Sequence, residues 1–216
     1  SEVGNRGNET SRNTFRLLLG LRGDFADRYS WEAYYAHGRT EDALQSGGQI
    51  NTANLQEALN VIDQDGNPLT TDDIICASVV AFNQGCVPVN VFGLGSITPE
   101  AVNWVFAPVQ RQAYTSQEYA GATISGPLFA MPAGDAEFAL GVEWRRERSE
   151  DVTDALTQTG QNAGNIQDPV RGGYDVGEIY GEVEVPLVRD APLAHDLTVG
   201  AAFRWSNYNL AGETEA

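Results

Sequence analysis

The strongest pattern in the chain runs from Gln112 to Ser149, where polar and apolar positions alternate on both sides of Met131-Pro132-Ala133-Gly134-Asp135. After that turn Phe138, Leu140, Val142 and Trp144 share one face, and Ala139, Gly141, Glu143, Arg145 and Glu147 share the other. Before it, Ala120, Ala122, Ile124, Gly126 and Leu128 alternate with Gln117, Tyr119, Gly121, Thr123 and Ser125. A period of two predicts two strands of a sheet that is apolar on one side and polar on the other. The same reading predicts strands over 12–24, 29–40, 174–187 and 196–209, six in all. Phe15, Leu17, Leu19 and Leu21 oppose Arg16, Gly20 and Arg22, and Trp31, Ala33 and Tyr35 oppose Glu32, Tyr34 and Ala36. Ile179, Val183 and Val185 oppose Glu178, Tyr180, Glu182 and Glu184, and Leu197 to Trp205 alternate in the same way.

The fold class expected is all-β, an antiparallel up-and-down meander. Short turns are expected at 25–28, 131–135 and 188–195, long connections at 41–110 and 150–172, and a loose polar stretch at 1–11. Leu55, Ala58, Leu59 and Ile62 have helical spacing and predict a helix over 52–62. Thr98-Pro99-Glu100 predicts another, with Thr as cap, Pro at the first position and Glu favouring the dipole. A two-sided sheet belongs either to a soluble sandwich or to an outer-membrane barrel. Turns short at one end and long at the other follow the barrel pattern. Trp31 and Phe138 near the short turns, with Trp144, Trp205 and Tyr208 near the long ones, suggest two aromatic girdles on the apolar face. The alternative is the ordinary preference of aromatics for strands.

Composition narrows the classes. Acidic residues outnumber basic ones 30 to 13, the net charge is −17, and all basic residues are Arg. Such a chain does not suit nucleic-acid binding or polybasic membrane targeting. No run reaches the length of a membrane helix, which says nothing against barrel strands. The first residues lack the apolar core of a signal peptide. Either a signal was removed or the chain is an interior piece of a longer one.

Candidate chemistry is sparse. His37 and His195 stand far apart and predict no metal pair. Asp63-Gln64-Asp65-Gly66-Asn67 resembles a calcium loop, but the twelfth position is Ile74, so a turn is expected and no metal. No nucleophile elbow or zinc motif occurs. Glutamates such as Glu143 and Glu178 have the chemistry of a glycosidase pair. They fit better as a solvated face paired across strands by Arg145 and Arg204. The chain is therefore expected to be no enzyme and to hold no cofactor. Cys76 and Cys86 lie ten positions apart and are expected to form a disulfide in an oxidising compartment; two reduced thiols are the alternative.

Six stretches in order carry a family resemblance: Phe15 to Phe25, Trp31 to Thr40, Gly85 to Gly93, Ser125 to Gly134, Gly141 to Glu147 and Tyr180 to Leu187. Together they resemble the barrel of TonB-dependent outer-membrane receptors of Gram-negative bacteria, over residues 12–209. The resemblance implies that 1–216 is a partial receptor barrel, about six strands of some 22. Long outer loops would hold short helices, and the plug domain and remaining strands would lie elsewhere. It implies active uptake of a scarce solute, a siderophore, cobalamin or an oligosaccharide. Outer-membrane lipid and the TonB complex, reached through an N-terminal region, would be the partners. Trp104 and Tyr114 are expected to offer stacking surfaces, and Arg145, Glu143, Glu178 and Arg204 polar contacts, to the ligand. A soluble, non-enzymatic sheet used for binding or adhesion is the other reading. The interval 41–110 holds eight acids, Asp63, Asp65, Asp72 and Asp73 among them, and no basic residue. As an outer loop it would repel anions within about a Debye length, ~8 Å at physiological salt.

Overall fold

The period-two runs form six long antiparallel strands in a computed structural model that describes residues 2–67, 73–192, 194–210 and 212–215. In chain order the strands are β1 (Gly7–Phe25), β2 (Tyr29–Gly47), the short β3 (Val61–Asp63) and β4 (Ile74–Cys76), β5 (Val109–Met131), β6 (Gly134–Thr153), β7 (Val170–Ala191), β8 (Ala194–Tyr208) and the short β9 (Gly212–Glu215). The main sheet has the order β1-β2-β5-β6-β7-β8-β9, so each long strand lies beside its neighbours in sequence. The order is linear, with β1 and β9 at its ends, and the sheet does not close on itself. β3 and β4 form a separate two-stranded sheet, with Ile62 opposite Ile75.

Register fixes the faces. Between β7 and β8, Ile179 lies opposite Trp205, Val183 opposite Ala201 and Val185 opposite Val199. Glu178 lies opposite Ser206, Tyr180 opposite Arg204 and Glu184 opposite Gly200. Apolar therefore meets apolar and polar meets polar. A bulge between Pro186 and Val188 skips Leu187 and brings Val188 opposite Leu197. The apolar set stays bare: Leu19 is 60% exposed, Leu21 70% and Phe203 53%.

Several expected boundaries move. The stretch taken as loose extends β1 back to Gly7, and β2 continues to Gly47. The turn expected over 188–195 shrinks, because Ala191 already pairs with Ala194, and His195 belongs to β8. The turn after β1 is tight, with Ala26 and Asp27 both at φ +53. Two successive left-handed residues match the twist of a hairpin. Tyr208 does not join the apolar face: it shares the side of Arg204 and Ser206, and its ring lies 6.0 Å from Tyr174. Three positions separate it from Trp205, and an odd step changes face.

The chain divides into two compact units. One comprises Asn13–Thr40, Tyr114–Glu150 and Arg171–Ala216, and holds most of the two-faced sheet. The other comprises Ser1–Arg12, Glu41–Ala113 and Asp151–Val170. Its core is Ala58, Cys76, Ala81, Cys86, Val89, Ala101 and Val105. α1 (Thr52–Leu59) ends three residues before the predicted limit, because Val61 to Asp63 turn into β3. α2 (Val79–Asn83) is capped by Ser78, and α3 (Pro99–Val105) by Thr98, whose hydroxyl accepts from the Ala101 amide at 3.2 Å. Cys76 and Cys86 form the expected disulfide, Cα atoms 6.2 Å apart, which ties β4 to the segment after α2. α4 (Ala155–Thr159), in the second connection, is capped by Asp154 and stopped by left-handed Gly160. Asn51 forms a bridge with Asn162, so the two long connections pack into one body.

Candidate ligand-binding face

The polar side of the sheet is built from tyrosines laid across glycines. Tyr34 on β2 spreads over β5 at Gly121, where a Cβ would come within 2.5 Å of its hydroxyl. Tyr180 on β7 covers Gly141 on β6, where a Cβ would overlap its ring. Glycine is required at both places because a ring occupies the volume above the neighbouring strand. The Tyr34 hydroxyl donates to Glu143 at 3.0 Å, and its ring meets Tyr119 edge-on at 5.8 Å. Arg16 donates to the Tyr119 hydroxyl at 2.8 Å. The contacts cross β1, β2, β5 and β6 without leaving the face.

Beside them lies a denser group. Arg204 donates to both Glu178 oxygens, at 3.2 and 2.6 Å, and the Ser206 hydroxyl donates at 2.6 Å. Glu178 is 6% exposed, so its charge is held by these donors rather than by water. The Arg204 guanidinium also lies 5.4 Å from the Tyr180 ring centroid, and that of Arg145 lies 5.8 Å from Tyr174. The face thus offers ring surfaces for stacking, hydroxyl donors and guanidinium groups, a set suited to a solute rich in oxygen atoms.

Of the residues singled out in the sequence, Glu143, Arg145, Glu178 and Arg204 share this face. Arg204 pairs with Glu178 across strands as expected. Arg145 crosses to the Tyr174 ring on β7, but its acid pair is Glu147 on its own strand, at 3.7 Å, and its Nε donates to no acceptor. Trp104 lies elsewhere, on α3. Its indole N–H donates to the Asn54 carbonyl at 3.1 Å, and the Asn54 amide donates back to the Trp104 carbonyl at 2.8 Å. Tyr114 stands on the opposite side of the sheet, below the Arg39 guanidinium at 5.3 Å. The sequence reading placed Tyr34, Tyr119 and Tyr180 on the polar side but did not single them out. The signal that marks Tyr34 and Tyr180 is a tyrosine on one strand matched by a glycine on the next.

The other polar clusters are smaller. His37 Nδ1 lies 3.3 Å from Glu118, and His195 Nδ1 lies 3.0 Å from Asp190, each histidine with its own acid. The Asp63 turn forms as expected, one Asp63 oxygen accepting from the Asp65 and Gly66 amides. Asp73 joins it, and carboxylate oxygens of Asp63, Asp65 and Asp73 lie within 4.8 Å of one another. Sequence spacing hides this grouping because the β3–β4 pairing creates it. Asp72 lies outside the described residues. Asp42, counted among the acids of the first connection, is paired by Arg12.

No protein-family model matches the chain, and no curated protein matches it.

Proposed function

We propose that the chain is part of a TonB-dependent outer-membrane receptor, whose closed barrel imports a scarce solute, a siderophore, cobalamin or an oligosaccharide. The bare apolar face carries this reading. Phe15, Leu19, Leu140, Val142, Ile179, Val199 and Phe203 are each more than half exposed. Leaving about half of each side chain in water forfeits roughly 1 kcal/mol apiece, half of what full burial gives. Together that rivals the net stability of a whole domain, about 5–15 kcal/mol. Hydrocarbon around the sheet removes the cost. On β6 the band from Phe138 to Trp144 spans six residue steps, roughly 20 Å of strand rise or about 15 Å of height at a barrel strand's tilt, which fits within the lipid-facing zone of about 25 Å. Phe25 stacks on Tyr29 at 5.1 Å and Tyr29 meets Phe138 at 6.3 Å, an aromatic group at the short-turn end. Trp144 and Trp205 supply the other end. On this reading β1 and β9 pair with further strands, because hydrocarbon tolerates no open edge. The tyrosine–glycine face then lines a wet lumen and meets the solute, and the disulfide suits an oxidising compartment.

The test uses the full-length protein in Gram-negative cells. The expected result is a heat-modifiable band in the outer-membrane fraction. Cells should accumulate one of three labelled solutes, a ferric siderophore, cobalamin or a malto-oligosaccharide, only while TonB is functional. Protein found in the soluble fraction, or uptake indifferent to TonB, would overturn the proposal.

A further inference from the structure

The apolar face changes character beyond Trp144 and Trp205. Four of the thirteen arginines, Arg39, Arg146, Arg148 and Arg171, gather there, with Glu118, Glu150 and Asp175 among the acids beside them. Such a gathering of arginine in so acidic a protein is not an average outcome. Asp175 is shared by Arg146 at 2.6 Å and Arg148 at 3.0 Å, and Arg148 also donates to the Glu147 and Tyr174 carbonyls. Each guanidinium has five donors in a fixed fork, so donors remain for an incoming anion. Arg39, Tyr114, Arg148, Glu150 and Arg171 line a hollow of about 640 Å³.

A second hollow, of about 480 Å³, lies on the apolar band; Asp175 lines it and accepts from Arg148, which lines the first. Its walls are Val142, Trp144, Ile179 and Trp205, and Gly177 forms its floor. A Cβ built on Gly177 would meet nothing within 4 Å, so the slot lies open above the backbone. Arg146 stands over the Trp144 ring at 5.1 Å and shares Asp175 with Arg148. The ion pairs of Asp175 thus link the arginine hollow to an apolar slot on one face.

We infer that this face carries a binding site for a phosphorylated, acylated membrane lipid, its phosphate on Arg146, Arg148 and Arg171 and one acyl chain in the slot between Trp144 and Trp205. The inference rests on the membrane reading above, and it names a partner for the outer side of the sheet rather than for the lumen. Charge selects the occupant: guanidinium forks hold phosphate by paired, charge-assisted hydrogen bonds, and a headgroup without net charge gains little from them. The open slot selects an acylated molecule over free phosphate.

The test is native mass spectrometry of the full-length protein in detergent, offered equal amounts of dioleoyl phosphatidic acid and dioleoyl phosphatidylcholine. The expected result is retention of phosphatidic acid about tenfold above phosphatidylcholine, an effect the size of one or two charge-assisted hydrogen bonds. Arg148→Gln combined with Arg171→Gln should abolish the preference. Gly177→Leu fills the slot without a backbone clash and should lower retention of both lipids. Equal retention of the two lipids by the unaltered protein would overturn the inference. So would a preference that survives all three substitutions, or one erased by millimolar inorganic phosphate and indifferent to Gly177→Leu, which marks a simple ion site. Protein that enters bilayers yet shows no preference defeats this inference alone; protein that never enters bilayers defeats the membrane reading with it.

Discussion

Gly141 and Tyr180 compete for one volume on neighbouring strands, and the ring wins only because the glycine has no Cβ. Gly141→Ala should therefore lower the thermal midpoint, and adding Tyr180→Ala should restore part of the loss, since the second change removes the clash. A double-mutant cycle reads that coupling. Losing Arg204 leaves the secluded Glu178 charge with Ser206 as its remaining side-chain donor. Arg204→Met should cost about 1–3 kcal/mol, and Glu178→Gln in the same background should recover some of it. At the first turn, Ala26 holds φ +53, a conformation that costs an L-residue roughly 1–2 kcal/mol. Ala26→Gly should raise the midpoint of unfolding. Facing was legible one residue at a time wherever polar and apolar positions alternated. It failed for Tyr208, read by composition rather than by parity.

The element scale separates what alternation reveals from what it hides. The strand segments with one apolar side were visible, and their extensions were not. Residues 7–11, 41–47, 109–111 and 150–153 hold only scattered apolar residues, such as Leu44, Val109 and Val152, so no period marks them as strand. The β3–β4 hairpin was missed because three residues carry no measurable period, and α4 because Asp154 looked like one more polar loop residue. That residue supports a test. Burial pushes the Asp154 carboxyl up, but the Gln110 and Thr157 amides and the Thr157 hydroxyl outweigh it and hold it below its ordinary value. A lowered folded pKa stabilises fully above the unfolded value, about 3.9, and the contribution disappears as pH falls through the folded value. Asp154→Ala should cost about 1 kcal/mol at neutral pH and less in acid, read by hydrogen exchange of the α4 amides. The Cys76–Cys86 bond closes a small loop and should contribute about 2–3 kcal/mol to the unit that holds it. Thiol titration of the denatured, unreduced chain should give no signal; two thiols would contradict the bond.

For the molecule as a whole, the sequence announced a sheet with two unlike sides and connections that alternate in length, and both are present. It did not announce the tyrosine–glycine surface or the arginines above the tryptophans, because both arise from neighbours on different strands. The acidic first connection fits a reading in which it disfavours anions by itself. Changing Asp63, Asp65 and Asp73 to Asn should weaken the salt dependence of binding for a charged solute, and an unchanged dependence would refute steering. The central claim is that the bare face meets lipid and the tyrosine face meets water. Nitroxide labels placed singly from Glu137 to Arg145 in the full-length protein, reconstituted in phosphatidylcholine bilayers, test it most directly. The account predicts a period of two: oxygen, which concentrates in lipid, relaxes labels at Phe138, Leu140 and Val142, while a water-soluble nickel chelate relaxes those at Ala139, Gly141 and Glu143. Equal access of the chelate to both sets, or protection of the apolar set from both reagents, would contradict it.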